Sequence, residues 1–480
     1  MSKQDNKKFV EQIADITTDF PTWYTDVVLK TELVDYGPVK GTMIIRPYGY
    51  SIWEKIQAEL DWRIKETGHQ NASFPTLIPM SFLKKEAQHV EGFAPEVATV
   101  THFGEEELSE KLILRPTSET VICHMFSKWI NSYRDLPMLL NQWANVFRCE
   151  KTTRPFLRTS EFLWQEGHTC HATHEEAEAE TLKMLGVYAE FMQNVLAIPV
   201  LTGRKSEKEK FAGAHATYAM EAMMKDGKAL QAGTSHDLGQ NFAKAFDIKF
   251  LDADNTQKHV FQTSWGVTTR LIGAMIMVHG DERGLLLPPP VAPVQVAIVP
   301  IASQKGGVIE ACEELCAKLA KKGIRAYVDK RDNSPGWKFN EWEMKGVPLR
   351  LELGPRDIEA GQVMAFRRDT LEKTALPMDG IAAKVASTLK KIHTAMFKKA
   401  EKMLHGRIAK VTSNKQLKKA VDSGKFGVGY WCKDKACEEQ IKAETGAKTL
   451  VMPLKQPRAM GECICCKKQA DSVVYFGKSY

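Results

Sequence analysis

The stretch Asn145–Thr173, NVFRCEKTTRPFLRTSEFLWQEGHTCHAT, constrains the chain more than any other. It reads as an extended segment with Arg148 and Glu150, a loop with Arg154, Pro155 and Arg158, and a segment bearing Glu161, Trp164, Gln165 and Glu166. Such a mixture of guanidinium, carboxylate, amide and indole is poor material for a core. It suits the gripping of a polyanion, because arginine offers phosphate or carboxylate a planar fork of donors.

At 480 residues the chain exceeds what one core supports, so two to four domains are expected. A formal charge of +7 leans towards an anionic partner, weakly by itself. The N-terminus lacks the apolar run of a secretory signal, and no window offers the roughly 20 apolar residues of a membrane span. With ten cysteines and no such signal, reduced thiols or a metal site are expected rather than a disulfide framework, and the cytoplasm is the expected compartment.

Four further strings accompany the first: LRPTSET at Leu114–Thr120, QAGTSHDLGQNFAKAF at Gln231–Phe246, TSWGVTTRLIGAMIMVHGDERGL at Thr263–Leu285, and SPGWKFNEWEMKGVPLRLELGPRD at Ser334–Asp357. Together they resemble the class II aminoacyl-tRNA synthetases, in the prolyl form shared by archaea, eukaryotes and some bacteria. The resemblance covers nearly the whole chain. It implies an α+β fold: a catalytic core on an antiparallel sheet with flanking helices at 1–286, and an α/β anticodon-binding domain at 294–403. A small α/β zinc-binding-like domain follows at 404–480. The proline-rich LPPPVAP at Leu287–Pro293 reads as a stiff linker. Too few residues separate Asn145–Thr173 from Gln231 to hold the large editing domain of many bacterial prolyl enzymes.

Periodicity predicts a short helix over 1–20 with Phe9, Ile13 and Ile16 on one side, and a helix from Ser51 to Thr67 followed by the strand ASFPTLIP. In the family that helix and strand make a homodimer interface. Thr117 or Ser118 can cap a helix running through Trp129, and Glu175–Gln193 reads as a helix burying Leu182, Leu185, Tyr188, Ala189 and Met192. Beyond the linker, strands and helices alternate up to a helix at Ile381–Ala400, and Cys312 and Cys316 read as core positions of one helix.

The resemblance implies activation of L-proline by ATP with Mg²⁺ and transfer to tRNA(Pro). Arg148 and Arg270 would be catalytic, with Arg148 spanning the proline carboxylate and the α-phosphate. Thr117, Glu119, Trp164, Phe211 and His236 would surround proline. Glu150, Arg158, Thr159, Gln231, Thr234 and Thr268 would join the two arginines around ATP. Glu352, Arg356 and Asp357 would offer donors and acceptors to anticodon bases at a strand end.

Cys432, Cys437, Cys463 and Cys466 form two pairs joined by a loop, able to enclose a tetrahedral zinc, with the neighbouring Cys465 an alternative ligand that the family pattern disfavours. His168, His171 and His174 also admit a zinc reading if they share a helix face. The HExxH arrangement is absent, however, and a structural turn beside the nucleotide pocket is the better expectation. In related enzymes the terminal tyrosine, here Tyr480, lies near the active site with its carboxylate turned inward.

Overall fold

The computed structural model describes residues 13–89, 96–458 and 460–480. Its catalytic core is built on an eight-stranded sheet. In chain order the strands are β1 (Gln70–Asn71), β2 (Met138–Phe147), β3 (Glu161–His171), β4 (Leu201–Arg204), β5 (Ala216–Met223), β6 (Ala229–Gly239), β7 (Phe261–Thr268) and β16 (Met452–Pro453). They lie in the order β16-β4-β5-β6-β7-β3-β2-β1, antiparallel except for β1 against β2. β16 belongs to the C-terminal part of the chain, which therefore supplies the edge strand of the catalytic sheet.

The central strands are buried on both faces, and their two faces do different work. Away from the cleft, helix α4 (His174–Asn194) covers the sheet with Leu185, Tyr188 and Met192. Leu182 was expected with them but stands 36% exposed, because it projects from the solvent side of the helix. Tyr188 Oη meets the Gln165 side chain at 2.5 Å, so Gln165 faces α4 rather than the cleft, unlike the polar neighbours with which it was grouped. Gly167 leaves room for the Trp265 ring, which would lie 2.1 Å from an added Cβ.

Helices α1 (Phe20–Lys30) and α2 (Pro47–Glu66) complete this core with Trp23, Ile52, Ile56 and Leu60. α2 starts four residues before the predicted Ser51, since Pro47 supplies a preset φ at the first turn. Only Leu77–Pro79 of ASFPTLIP pairs as a strand. The expected helix over 1–20 falls largely outside the described residues, Phe9 with it; the described part, 13–19, is bend and turn rather than helix, though Ile13 and Ile16 pack on the core. Ser118 holds the N-cap position of α3 (Glu119–Trp129) without capping it, because its hydroxyl is used elsewhere.

The linker is pinned rather than free. Proline carbonyls lack neighbouring N–H groups to satisfy them, and the Arg325 guanidinium donates to the carbonyls of Pro289, Pro290 and Ala292 at 2.8–3.0 Å. Beyond it lies a mixed five-stranded sheet, ordered β9 (Ala326–Val328), β8 (Val296–Pro300), β10 (Leu349–Leu353), β11 (Gln362–Arg367), β12 (Lys373–Pro377). β8 runs parallel to β9 and β10, and β10-β11-β12 are antiparallel. α6 (Val308–Ala320) buries Cys312 against it, and α7 (Pro335–Met344) packs on β8.

Helix α8 (Ile381–Gly406) continues past Ala400. Its early residues Val385 and Leu389 sit in the second core and Ala400 in the first, so one helix bolts the two together. The last unit carries a four-stranded sheet, β13 (Ile408–Lys410), β14 (Phe426–Trp431), β17 (Ser472–Gly477), β15 (Lys448–Thr449), and helix α9 (Lys435–Thr445). Among the described residues no helix is long and apolar enough to cross a membrane.

Candidate active site

Strand alternation and register build the floor of one cleft. Along β3 the side chains of Trp164, Glu166 and His168 share a face by the two-residue period. Across the sheet His168 pairs with Ser264, Ser264 with His236, and His236 with Thr217. One row higher Glu166 pairs with Gly266 and Gly266 with Thr234. A Cβ at Gly266 would come 2.9 Å from the Gln165 carbonyl, so glycine permits the close pairing there.

This floor, the α3 N-terminus and the loop Arg148–Ser160 enclose a cavity of about 620 Å³. Thr117, Glu119, Arg148, Glu150, Arg158, Thr159, Trp164, Phe211, Gln231, Thr234, His236, Thr268 and Arg270 all line it. Within it the Thr117 hydroxyl donates to the Glu119 carboxylate, and both are buried. Phe211 stacks at a tilt on His236, with ring centroids 4.8 Å apart. Thr217 Oγ1 accepts from the Phe211 backbone N–H and shares a 3.0 Å hydrogen bond with His236 Nδ1. Burial drives the His236 pKa down to about 3 and the nearby His168 adds to this, leaving the ring neutral.

Three guanidinium groups line the same cavity. Arg148 donates through Nε to the Pro116 carbonyl at 3.0 Å, and its cationic face lies 5.3 Å from Phe162 and 5.6 Å from Trp164. Arg270, at the start of α5 (Arg270–His279), is held by the Leu157 carbonyl at 3.1 Å. Its pKa is lowered by burial first, then by Arg148 and Arg158, which places the three cations in one field. Arg158 donates to Glu150 at 2.5 Å. Trp164 lines this space, and its indole N–H is buried and unpartnered.

Two residues without an assigned role complete the floor. Glu166 accepts from Ser118 and Gln142 at 2.5 Å each and faces His168 Nε2 at 2.9 Å. Burial would lower the His168 pKa, but Glu166 outweighs it and raises it. The period of two from Trp164 was the available signal. His168 and His171 thus lie on β3, and only His174 opens a helix, so the three histidines share no helix face.

Elsewhere the expectations separate. Glu352 is buried, with Oε1 taken by Arg350 at 3.0–3.1 Å and Oε2 by Lys373 at 2.5 Å, so it is no free acceptor at a strand end. Asp357 accepts from the Gly354 N–H at 3.0 Å, while Arg356 is exposed. Tyr480 does not line the cavity; its hydroxyl donates to Asp226 at 2.7 Å and its N–H to the Ala229 carbonyl.

In the C-terminal unit the sulfurs of Cys432, Cys437, Cys463 and Cys466 lie within 4.8 Å of one another. Cys432 and Cys466 are 3.8 Å apart, the edge of a tetrahedron with Zn–S bonds of about 2.3 Å. The Lys468 backbone N–H draws the Cys466 pKa down to about 7, which favours a thiolate. Cys465 turns away towards Gln440, leaving Cys466 as the fourth ligand. The donor set and spacing fit a structural Zn²⁺.

Three family descriptions match the chain: tRNA synthetase class II core domain (G, H, P, S and T) over residues 100–279, anticodon binding domain over 295–388, and prolyl-tRNA synthetase, C-terminal, over 414–480. The chain is 58% identical to proline–tRNA ligase of Alkaliphilus oremlandii, over the whole of both chains. It is 55% identical to proline–tRNA ligase 2 of Clostridioides difficile, over 99% of this chain and all of the relative. Against proline–tRNA ligase 2 of Bacillus cereus strain ATCC 14579 the figures are 55%, 99% and 100%.

Proposed function

The chain belongs to the prolyl-tRNA synthetases of class II, without the inserted bacterial editing domain, and from that premise we propose how its cleft divides the reaction. The enzyme forms prolyl-adenylate from L-proline and ATP and transfers the prolyl group to tRNA(Pro). The proline carboxylate attacks the α-phosphorus and pyrophosphate leaves; the terminal ribose hydroxyl of the tRNA then attacks the prolyl carbonyl and AMP leaves. Neither step needs a covalent enzyme intermediate, so the protein acts by placing reactants and balancing charge.

Arg148 bridges the proline carboxylate and the α-phosphate, the two anions that must meet. Arg270 and Arg158 hold phosphate oxygens, with Glu150 orienting Arg158. Thr159, Gln231, Thr234 and Thr268 line the nucleotide's share of the cavity. Mg²⁺ accompanies ATP and offsets phosphate charge. Glu119 and the Thr117 hydroxyl receive the secondary ammonium of proline, while Trp164, Phe211 and neutral His236 wall its ring. The observation that carries this reading is one cavity lined by a buried carboxylate–hydroxyl pair and by three guanidinium groups, with Arg148 anchored on the Pro116 carbonyl beside that pair.

Proline-dependent exchange of pyrophosphate into ATP tests it. Arg148→Ala lowers kcat/KM by about 10²–10³-fold, and Arg148→Lys recovers little because a point charge cannot bridge as a fork does. Exchange with another amino acid in place of proline overturns the assignment.

In the anticodon-binding domain, exposed Arg356 is the residue best disposed to meet a base, with Glu352 and Asp357 holding the strand end behind it. A homodimer through α2 and the antiparallel pair Val34–Tyr36 and Met43–Ile45 that precedes it is supported by the exposed Tyr36, Val39, Ile44, Tyr50 and Trp62, which light scattering tests. The cytoplasm is the compartment consistent with tRNA charging and ten free thiols.

A further inference from the structure

Behind the proline pocket, on the other face of β6, three side chains from three segments converge. His174 is the first residue of α4, His215 directly precedes β5, and Asp237 follows His236 on β6. Their ligand atoms all lie within 4.8 Å of one another. His174 Nε2 stands 2.7 Å from Asp237 Oδ2, and the two imidazoles meet edge to face at 5.1 Å. None of the three lines the cleft, and the activation chemistry makes no use of them.

We propose that His174, His215 and Asp237 form a second metal site, distinct from the four-cysteine cluster, that takes a divalent cation of the Zn²⁺ or Co²⁺ type. Two imidazoles and one carboxylate are a nitrogen-rich set of that preference, poorly matched to Mg²⁺ or Ca²⁺. Metal–ligand bonds of about 2.0–2.2 Å give ligand–ligand edges of about 3.4 Å, and the present spacing from the 2.7 Å contact up to 4.8 Å brackets that edge. Small side-chain rotations therefore suffice.

The surroundings are those of a ligand set rather than of a lone ion pair. Asp237 is buried, and its second oxygen accepts from the Gly239 N–H at 2.8 Å, which fixes the carboxylate as outer hydrogen bonds do in metal sites. The His215 backbone N–H donates to the Asp237 carbonyl at 2.8 Å, so these two ligands are held at a set separation. Glu175 and Glu178 lie within electrostatic reach of His174 and make the local field favourable to a cation. Phe261 covers one side of His174 at 5.5 Å, while His215 is exposed and leaves the remaining coordination positions to water. Bound metal would tie the segment that carries Phe211 to the start of α4.

The test uses the full chain with its cysteine cluster already filled with zinc, titrated with Co²⁺. One further equivalent is expected, with visible d–d bands and without the near-ultraviolet band of a thiolate–cobalt bond. His174→Ala and His215→Ala should each weaken it at least tenfold, and the double variant should abolish it while leaving the cysteine-bound zinc in place. The proposal is overturned by the absence of a second equivalent up to millimolar Co²⁺, by a thiolate band on that equivalent, or by its persistence in the double variant.

Discussion

Glu166 and His168 lie beneath the proposed proline site as a buried pair whose protonation states depend on one another. Burial alone would raise the Glu166 pKa, but His168, Ser118 and Gln142 together lower it, and Glu166 in turn raises that of His168. A histidine pKa raised in the folded state gives stability that is full below the unfolded value of about 6.5 and is lost as pH rises through the folded value. The Glu166 contribution runs oppositely, present above the unfolded carboxyl value and lost as acid protonates the folded one. Denaturant unfolding against pH should show a decline on the alkaline side in the wild type that is missing in His168→Gln. An identical slope in both would show that His168 does not carry the linked proton. Neutral His236, pushed down to about 3, contributes with the opposite sign: stability falls as pH drops below the unfolded value of about 6.5, so its slope lies on the acid side.

At the level of elements, the turn between β4 and Phe211 is held from another part of the chain. Ser206 Oγ donates to buried Glu438 on α9 at 2.8 Å, and Thr449 donates to the same oxygen. Ser206 in turn receives the Glu209 N–H at 3.2 Å and, through its carbonyl, the Lys210 N–H at 3.0 Å. Lys205 donates to the Leu450 carbonyl at 2.9 Å and to Glu221 at 2.8 Å beside them. The wall carrying Phe211 thus rests on α9, next to Cys437 of the candidate zinc site. Losing one such hydrogen bond costs about 1 kcal/mol, so Glu438→Ala should raise KM for proline about fivefold with kcat and KM for ATP nearly unchanged. Glu438→Gln should restore most of it; equal loss in kcat would point to general damage instead.

At the scale of the molecule, the catalytic and anticodon-binding units are locked by a buried cation. Arg368 donates to both Asp281 oxygens at 2.6–2.7 Å and to the Glu343 carbonyl at 2.8 Å, bridging the end of the catalytic core and α7. Arg368→Ala leaves Asp281 partly buried without its partner, a loss of up to about 3 kcal/mol. Aminoacylation of tRNA should fall further than pyrophosphate exchange, since only the former needs both units in register. Equal loss of the two activities would place the effect in the active site.

The strings that carry the family resemblance pointed to the proposed chemistry: arginines for anions, a carboxylate and hydroxyl for an ammonium, paired cysteines for zinc. Those strings are local, so the resemblance could single out Thr117, Glu119, Arg148, Phe211, His236 and Arg270 before any fold was known, and the structure brings all six to one cavity. The direction in which a side chain points was not local. Gln165 turns to α4 and Glu166 to the cleft because strand register is set by partners far along the chain. Glu352 is consumed by Arg350 and Lys373 for the same reason, and α8 runs across two cores because each offers it an apolar face. His174, His215 and Asp237 are separated by dozens of residues, and only the pairing of β5 with β6 under the first turn of α4 puts their ligand atoms within reach of one ion.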